Sequence, residues 1–342
     1  MKQTTLRTET IIPNQNISLP VGTALAVKKY SEKLDFENIF SRYKKRGVGI
    51  VSLIEAMITY RLTENQSTSR ASDWINRQEV LKFFELSAFE ERTLFRVLEI
   101  AGDNYEEIIH LIQIIMFKLY DFPHTDINMD WTSFVLWGTK AELGEYGYSR
   151  AHRPDKKQIT VGISQLGGPI NIPIGLTVQT GNTNDQTHFK KTFLQVCEHL
   201  KPGSRVVFDK GAQSKDNLDL VLAHKMKYLS AKKLNLSDDK RIKSFVKSKD
   251  NCVDEINGIY GEIIEYPSRV DYFFFSEQLK HDQIEAKLRM AEHKLTEAKA
   301  IQSALGKGKP LPARFQLNNP LVDITYTYQT KLKDLTDEQA RK

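Results

Sequence analysis

Cysteine is nearly absent: Cys197 and Cys252 are the only two in 342 residues. Thiols so few and so far apart cannot frame a disulfide scaffold or a zinc site of their own, and the pattern fits a reducing compartment. Each reads as a small buried hydrophobe. Long apolar runs are lacking too. The most apolar stretch, "LIQIIMF" at 111 to 117, is flanked by charge and falls well short of the roughly 20 residues that a membrane span needs. The opening "MKQTTLRTETIIPNQN" has no continuous apolar segment of the secretory kind, so the expected location is the cytoplasm, away from any membrane. No internal repeat stands out. What remains in the bulk numbers is a net charge of +6, a weak tilt towards polyanions such as nucleic acid.

The length leaves room for two or three domains at about 100 to 200 residues each. Residues 1 to 36 read as a loosely ordered lead punctuated by Pro13 and Pro20. From 37 to 122 the periodicity is helical. "GIVSLIEAMITYRL" sets Val51, Ile54, Met57 and Ile58 on one stripe, and "DNYEEIIHLIQIIMFKLY" opens on Asp103 as a cap before Ile108, Leu111, Ile112 and Ile115. Its basic pieces, "SRYKKRG" and "STSRASDWINR", suit a phosphate backbone, and equally the solvated ends of a bundle.

At Pro123 the pattern turns to strands. "DINMDWTSFVLWG" is followed by "KQITVGISQ" and "INIPIGLTVQT", two runs joined through "LGGP". "GNTND" leads into a helix in which Phe189, Phe193, Cys197 and Leu200 recur, with Asn184 or Asp185 placed to cap it. Strand "GSRVVFDKG", helix "NLDLVLAH" and strand "KMKYLSA" come next. Three consecutive strands, then helix, strand, helix, strand, imply a mixed sheet with crossover helices over 123 to 231. From 232 to 330 the composition shifts again. A basic, turn-rich start gives way to alternating "EIIEYPSRVDYFFFSEQ" and then to a helix with a narrow seam of Ile284, Leu288, Ala291, Leu295 and Ala298, which reads as an insertion with a helical arm.

Within the first strand, side chains alternate between two faces. Ile127, Met129, Trp131 and Val135 share one; Asn128, Asp130 and Thr132 share the other. A carboxylate buried in mid-strand without a partner costs several kcal/mol, roughly, or is forced to take a proton. A cation removes that penalty, and an exposed face avoids it. Asp209 ends a later strand just before Gly211, where open sheets present their sites. It also suits a plain turn or cap. If the two strands are neighbours, the pair forms a hard oxygen site selective for Mg²⁺ or Mn²⁺, ions suited to phosphoryl transfer.

"DINMDWTSFVLWG", "GYSRAHRPDKKQITVGI", "IPIGLTVQTGNTND" and "VVFDKGAQSKDNL" together resemble the DDE transposases of bacterial and archaeal insertion sequences, in order and approximate spacing, from about 40 to 330. The resemblance implies an α/β fold: a ribonuclease-H-like mixed sheet core after an N-terminal helical DNA-binding domain, with an α+β insertion before the last core helix. It implies that Asp130 and Asp209 bind the catalytic Mg²⁺ or Mn²⁺. Its partners would be DNA, both transposon ends and target, with a homodimer forming the synaptic complex. The charged turn carrying Arg150, His152, Arg153, Lys156 and Lys157 would approach the DNA backbone; a solvated hairpin tip is the competing reading. One departure is Ala151, where similar proteins often carry an acidic residue.

The family also needs a Glu within a Tyr, Arg, Glu, Lys pattern on a helix after a fifth strand and the insertion. Glu338 lies in a polar stretch without that pattern. The expectation is therefore a core lacking its last helix, with 331 to 342 a truncated start of that segment, able to bind DNA but poor at cleaving it. Two further readings stay open: a non-catalytic DNA-binding fragment, and a ribonuclease-H-like nuclease.

Overall fold

In a computed structural model the described residues are 21–232 without 45, 123, 139, 169 and 170, then 238 and 244–307. They fall into two compact units divided after Lys232. The first begins with seven helices: α1 (Val21–Lys33), α2 (Phe36–Phe40), α3 (Ile50–Thr63), α4 (Thr68–Ile75), α5 (Gln78–Phe83), α6 (Glu91–Asp103) and α7 (Tyr105–Leu119). Helix α1 falls inside the stretch expected to be a loose lead. Its Ala24, Val27 and Ser31 are buried at helical spacing, a weak signal because small and polar residues carry it. The expected lead up to residue 20 lies outside the described residues.

Helix α3 is more deeply buried through Ile50, Leu53, Ala56 and Tyr60 than through the expected stripe, whose residues are only half-buried. Apolar residues surround much of this helix, which sits in the centre of the bundle, so no single stripe decides its packing. Leu53, Ile75, Phe84 and Leu94 form the fully buried heart of this layer. Asp103 does not cap α7. It ends α6, and Asn104 makes the junction by donating from Nδ2 to the Ile100 carbonyl at 2.8 Å.

Helix α7 faces two ways. Ile108 and its neighbours Leu111, Ile112 and Ile115 join the bundle core, while Met116 joins the core beneath the sheet. Gln113 donates to the Ile174 carbonyl at 2.7 Å, and Glu106 pairs with Lys191 at 2.6 Å. The helical layer is thereby tied to the sheet by specific polar contacts.

The sheet contains β1 (Ile127–Val135), β2 (Gln158–Leu166), β3 (Pro173–Thr180), β4 (Arg205–Phe208) and β5 (Lys227–Ser230), in the order β3-β2-β1-β4-β5. The first three are antiparallel neighbours, whereas β4 runs parallel to β1 and β5 parallel to β4. Parallel neighbours require crossovers, and α8 (Asp185–Leu194) and α9 (Lys215–Ala223) supply them. Ile127, Met129 and Trp131 are buried as the alternation requires, against Phe189 and Phe193 of α8 and Phe208 of β4. The expected mixed sheet is thus observed, with each strand close to its expected place.

Under β1 runs a buried polar chain. Trp131 Nε1 donates to Thr192 Oγ1 at 3.0 Å, Thr192 and Thr177 share a hydroxyl contact of 2.8 Å, and His188 lies between Thr177 Oγ1 at 3.0 Å and Thr160 Oγ1 at 3.3 Å. Burial, with the Lys191 charge adding to it, pushes the His188 imidazole down to about 4. The unfolded chain therefore binds the proton more readily between about 6.5 and 4, so stability holds above that window and falls as pH drops through it. Chemical denaturation at pH 7 and pH 5 is expected to differ by about 2 kcal/mol more in the native sequence than in His188→Asn. Equal pH dependence in both would refute this.

The second unit has a three-stranded antiparallel sheet of β6 (Cys252–Asp254), β7 (Ile259–Tyr266) and β8 (Arg269–Ser276), then α10 (Glu277–Gly306). Phe245 packs on Phe273 and Phe275. Along α10, Ala291, Ala298 and Ile301 are the most buried, in line with the expected seam. The expectation for 331 to 342 lies outside the described residues.

Candidate functional site

The parallel register of β1 and β4 pairs Ile127 with Val206, Asn128 with Val207 and Met129 with Phe208. Asp130 and Asp209 are the next residues on each side. They stand abreast at the carboxyl end of β4, on the exposed side of the sheet, where the alternation that buries Met129 and Trp131 turns Asp130 outward. Asp130 Oδ1 accepts from the Trp131 amide at 2.8 Å, and Asp209 Oδ1 from the Ala212 amide at 3.2 Å. Each carboxylate is held by backbone and keeps lone pairs free.

A third carboxylate lies beside Asp209. Asn184, not Asp185, caps α8, its side chain accepting from the Thr187 amide at 2.9 Å. Asp185, the other candidate for the cap, is thereby left to other contacts. A Cβ built on Gly211 would lie 2.8 Å from Asp185 Oδ2 and 3.0 and 3.1 Å from the two Asp209 oxygens, so both carboxylates border one point and only glycine leaves it open. Burial raises the Asp185 pKa above the ordinary carboxylate value; Arg150 opposes the rise, and the Asp209 and Asp130 charges add to it. The three groups share one field. The signal for Asp185 was present in "GNTND": an Asn one place earlier can take the cap.

Arg150 is the counter-charge. Its guanidinium donates to the Trp131 carbonyl, beside Asp130, and to Asp185 Oδ2 at 2.6 Å. Two glycines bring the segments that carry this pair together. A Cβ on Gly147 would meet the Gly181 carbonyl oxygen at 2.1 Å, and one on Gly181 would meet the Gln158 and Glu145 carbonyl oxygens at 2.0 and 2.3 Å. Gln158 locks the junction by donating to the carbonyls of Tyr148 at 2.9 Å and Gly181 at 3.0 Å.

The other basic residues lie further along the turn. Exposed His152 adopts a left-handed backbone with φ of 55°. Arg153 is forked onto Asp155 at 2.7 and 2.8 Å, which holds that carboxyl at about 2. Arg153 and Lys156 both lie over the ring of Trp137, at 4.9 and 5.3 Å from its centroid, and that ring is 75% exposed. Lys157 contributes its carbonyl to the Leu136 amide. Arg150 thus faces the carboxylates, while the rest of the group lies along the Trp137 turn.

Carboxylate oxygens are the donors that Mg²⁺ and Mn²⁺ prefer, and the space over Gly211 lets two of these groups approach a common centre; the residues fit a divalent ion. Abreast acids next to a strand end, on a mixed sheet flanked by crossover helices, form a group of oxygen donors of the kind that divalent cations accept. The family model for the Transposase DDE domain matches residues 121–335, and the chain belongs to that family. Such transposases typically use divalent metal ions. Among solved structures the chain is similar to one described as "Cryo-EM structure of piggyBac transposase synaptic complex with hairpin DNA (SNHP)". Identity is 14%, the TM-score is 0.33, and the match covers 76% of this chain and 61% of that one. No curated protein matches. No helix among the described residues is long and apolar enough to cross a membrane.

Proposed function

We propose that the chain is a DNA transposase of an insertion sequence in which Asp130 and Asp209 hold Mg²⁺ or Mn²⁺ against a phosphodiester. The observation that supports this is the β1 and β4 register, which pairs Met129 with Phe208 and so makes Asp130 and Asp209 the next residues on adjacent strands. The strand order β3-β2-β1-β4-β5 supports a ribonuclease-H-like core. When bound, the ion would activate the attacking oxygen and stabilise the leaving one. The protein's own part is to hold the two acids on neighbouring backbones and to keep the space over Gly211, beside Asp209, clear. Asp185 is a third carboxylate, close to Asp209 and engaged by Arg150 in the described fold. Cleavage is therefore weak until that contact opens. Transposon ends and target DNA are the substrates, brought together by a homodimer.

Titration of Mn²⁺ into the wild-type chain and into an Asp130→Asn, Asp209→Asn double variant tests this reading. Loss of the tighter binding event in the double variant supports it; unchanged affinity sinks it.

On the same reading Lys156 and Lys157 contact backbone phosphates, whereas Arg153 has its charge already balanced by Asp155. Removing either lysine is expected to reduce the slope of log affinity against log salt by about one, and Arg153→Ala by less. Filter binding of a DNA duplex over a salt series measures it. Equal slopes for all variants would remove this turn from the interface.

A further inference from the structure

From His110, Glu198 and His199 we infer a second cation site, built for a borderline transition ion such as Zn²⁺ and separate from the aspartates. His110 is on α7, while Glu198 and His199 belong to the 3-10 turn Cys197–His199 that follows α8. One ligand atom from each lies within 4.8 Å of the others. Glu198 Oε1 is 3.3 Å from His110 Nδ1 and 3.6 Å from His199 Nε2.

The second of these distances carries the argument. His199 Nε2 is buried and has no hydrogen-bond partner, although a carboxylate oxygen faces it. A buried nitrogen left without a partner is destabilising. At 3.6 Å the contact is too long for a hydrogen bond, yet it is close to the separation of two ligands on one tetrahedral ion. With metal bonds of roughly 2.0 to 2.1 Å, neighbouring ligand atoms sit about 3.3 Å apart. The His110 to Glu198 distance already has that value. The His199 ring is also held in place: it stacks on Phe117, two turns along α7 from His110, at 5.0 Å between centroids and 10° between planes.

Two imidazoles and one carboxylate suit Zn²⁺, Ni²⁺ or Co²⁺ and not Mg²⁺. His110 and Glu198 are about half exposed, so an ion has access and a fourth position remains for water. The site's effect is mechanical. It joins α7, the last helix of the bundle, to the turn behind α8, which carries Asp185 at its other end. Gln113 already bonds across the same junction to the Gln195 carbonyl at 3.4 Å. A bound ion would stiffen the link between the helical layer and the sheet.

The full chain carrying Asp130→Asn and Asp209→Asn isolates this site from the other. Titrating Zn²⁺ into it by calorimetry is expected to show one equivalent bound and a rise in Tm. Adding His110→Ala or Glu198→Ala, both surface changes, should weaken that event at least about tenfold. Tetrahedral Co²⁺ absorption should appear with the native triad and vanish in either variant. His199→Gln is the cross-check, read only where its Tm without metal is retained. Weak, many-site Zn²⁺ uptake indifferent to His110→Ala and Glu198→Ala overturns the assignment. Loss of Mn²⁺ binding at the aspartates leaves it standing.

Discussion

Asp130→Asn is expected to lower Mn²⁺ affinity by about 10- to 100-fold while leaving the fold intact. The side chain is exposed and its backbone contact, from the Trp131 amide, can be made equally by an amide oxygen, so little stability is at stake. Charge supplies a second, opposite readout. Without metal, three carboxylates and one guanidinium leave a net negative field where, on the proposed reading, a phosphate enters. Removing one carboxylate should therefore raise metal-free DNA affinity and flatten its dependence on Mg²⁺. A fluorescence anisotropy titration of duplex DNA with and without Mg²⁺ reads both effects. If Asp130→Asn changed neither the metal nor the DNA curves, the acids would be ornament on a basic binding protein.

The largest loss of stability is expected from Gly181→Ala, about 3 kcal/mol by urea denaturation. The new methyl would sit 2.0 Å from the Gln158 carbonyl oxygen and 2.3 Å from that of Glu145, both backbone atoms that no rotamer change can move. Relief requires parting the bridge between Glu145 and Gln158 from the end of β3. Gly147→Ala should behave alike, because its methyl would meet the Gly181 carbonyl at 2.1 Å. The two changes share one contact, so the double variant should cost less than the sum. A loss below about 0.5 kcal/mol in both would mean that the junction is far softer than it looks.

Much of the core was legible because its signals are local. Period-two alternation located β1 and turned Asp130 away from Met129 and Trp131, and the break after Phe208 left Asp209 at a strand end. Pairing between those strands depends on a parallel register, which no local pattern encodes; it rested on resemblance until the fold supplied it. Asp185 was missed for a different reason. Two residues competed for one cap, and the loser's role depends on Arg150, 35 positions earlier. Helix α1 escaped because its buried positions are Ala24, Val27 and Ser31, too small to stand out among lysines. The proposed triad was invisible because His110, on α7, and His199, in the turn after α8, meet only through tertiary packing.

The guanidinium of Arg150 touches both the strand beside Asp130 and the acid at the head of α8. It acts as an internal counterion, so these carboxylates do not depend on a cation in order to hold their arrangement. On the proposed reading, and with the His110 site disabled by His110→Ala, chelation at the aspartates should leave the melting curve unchanged, and returning Mg²⁺ should restore metal binding without any refolding.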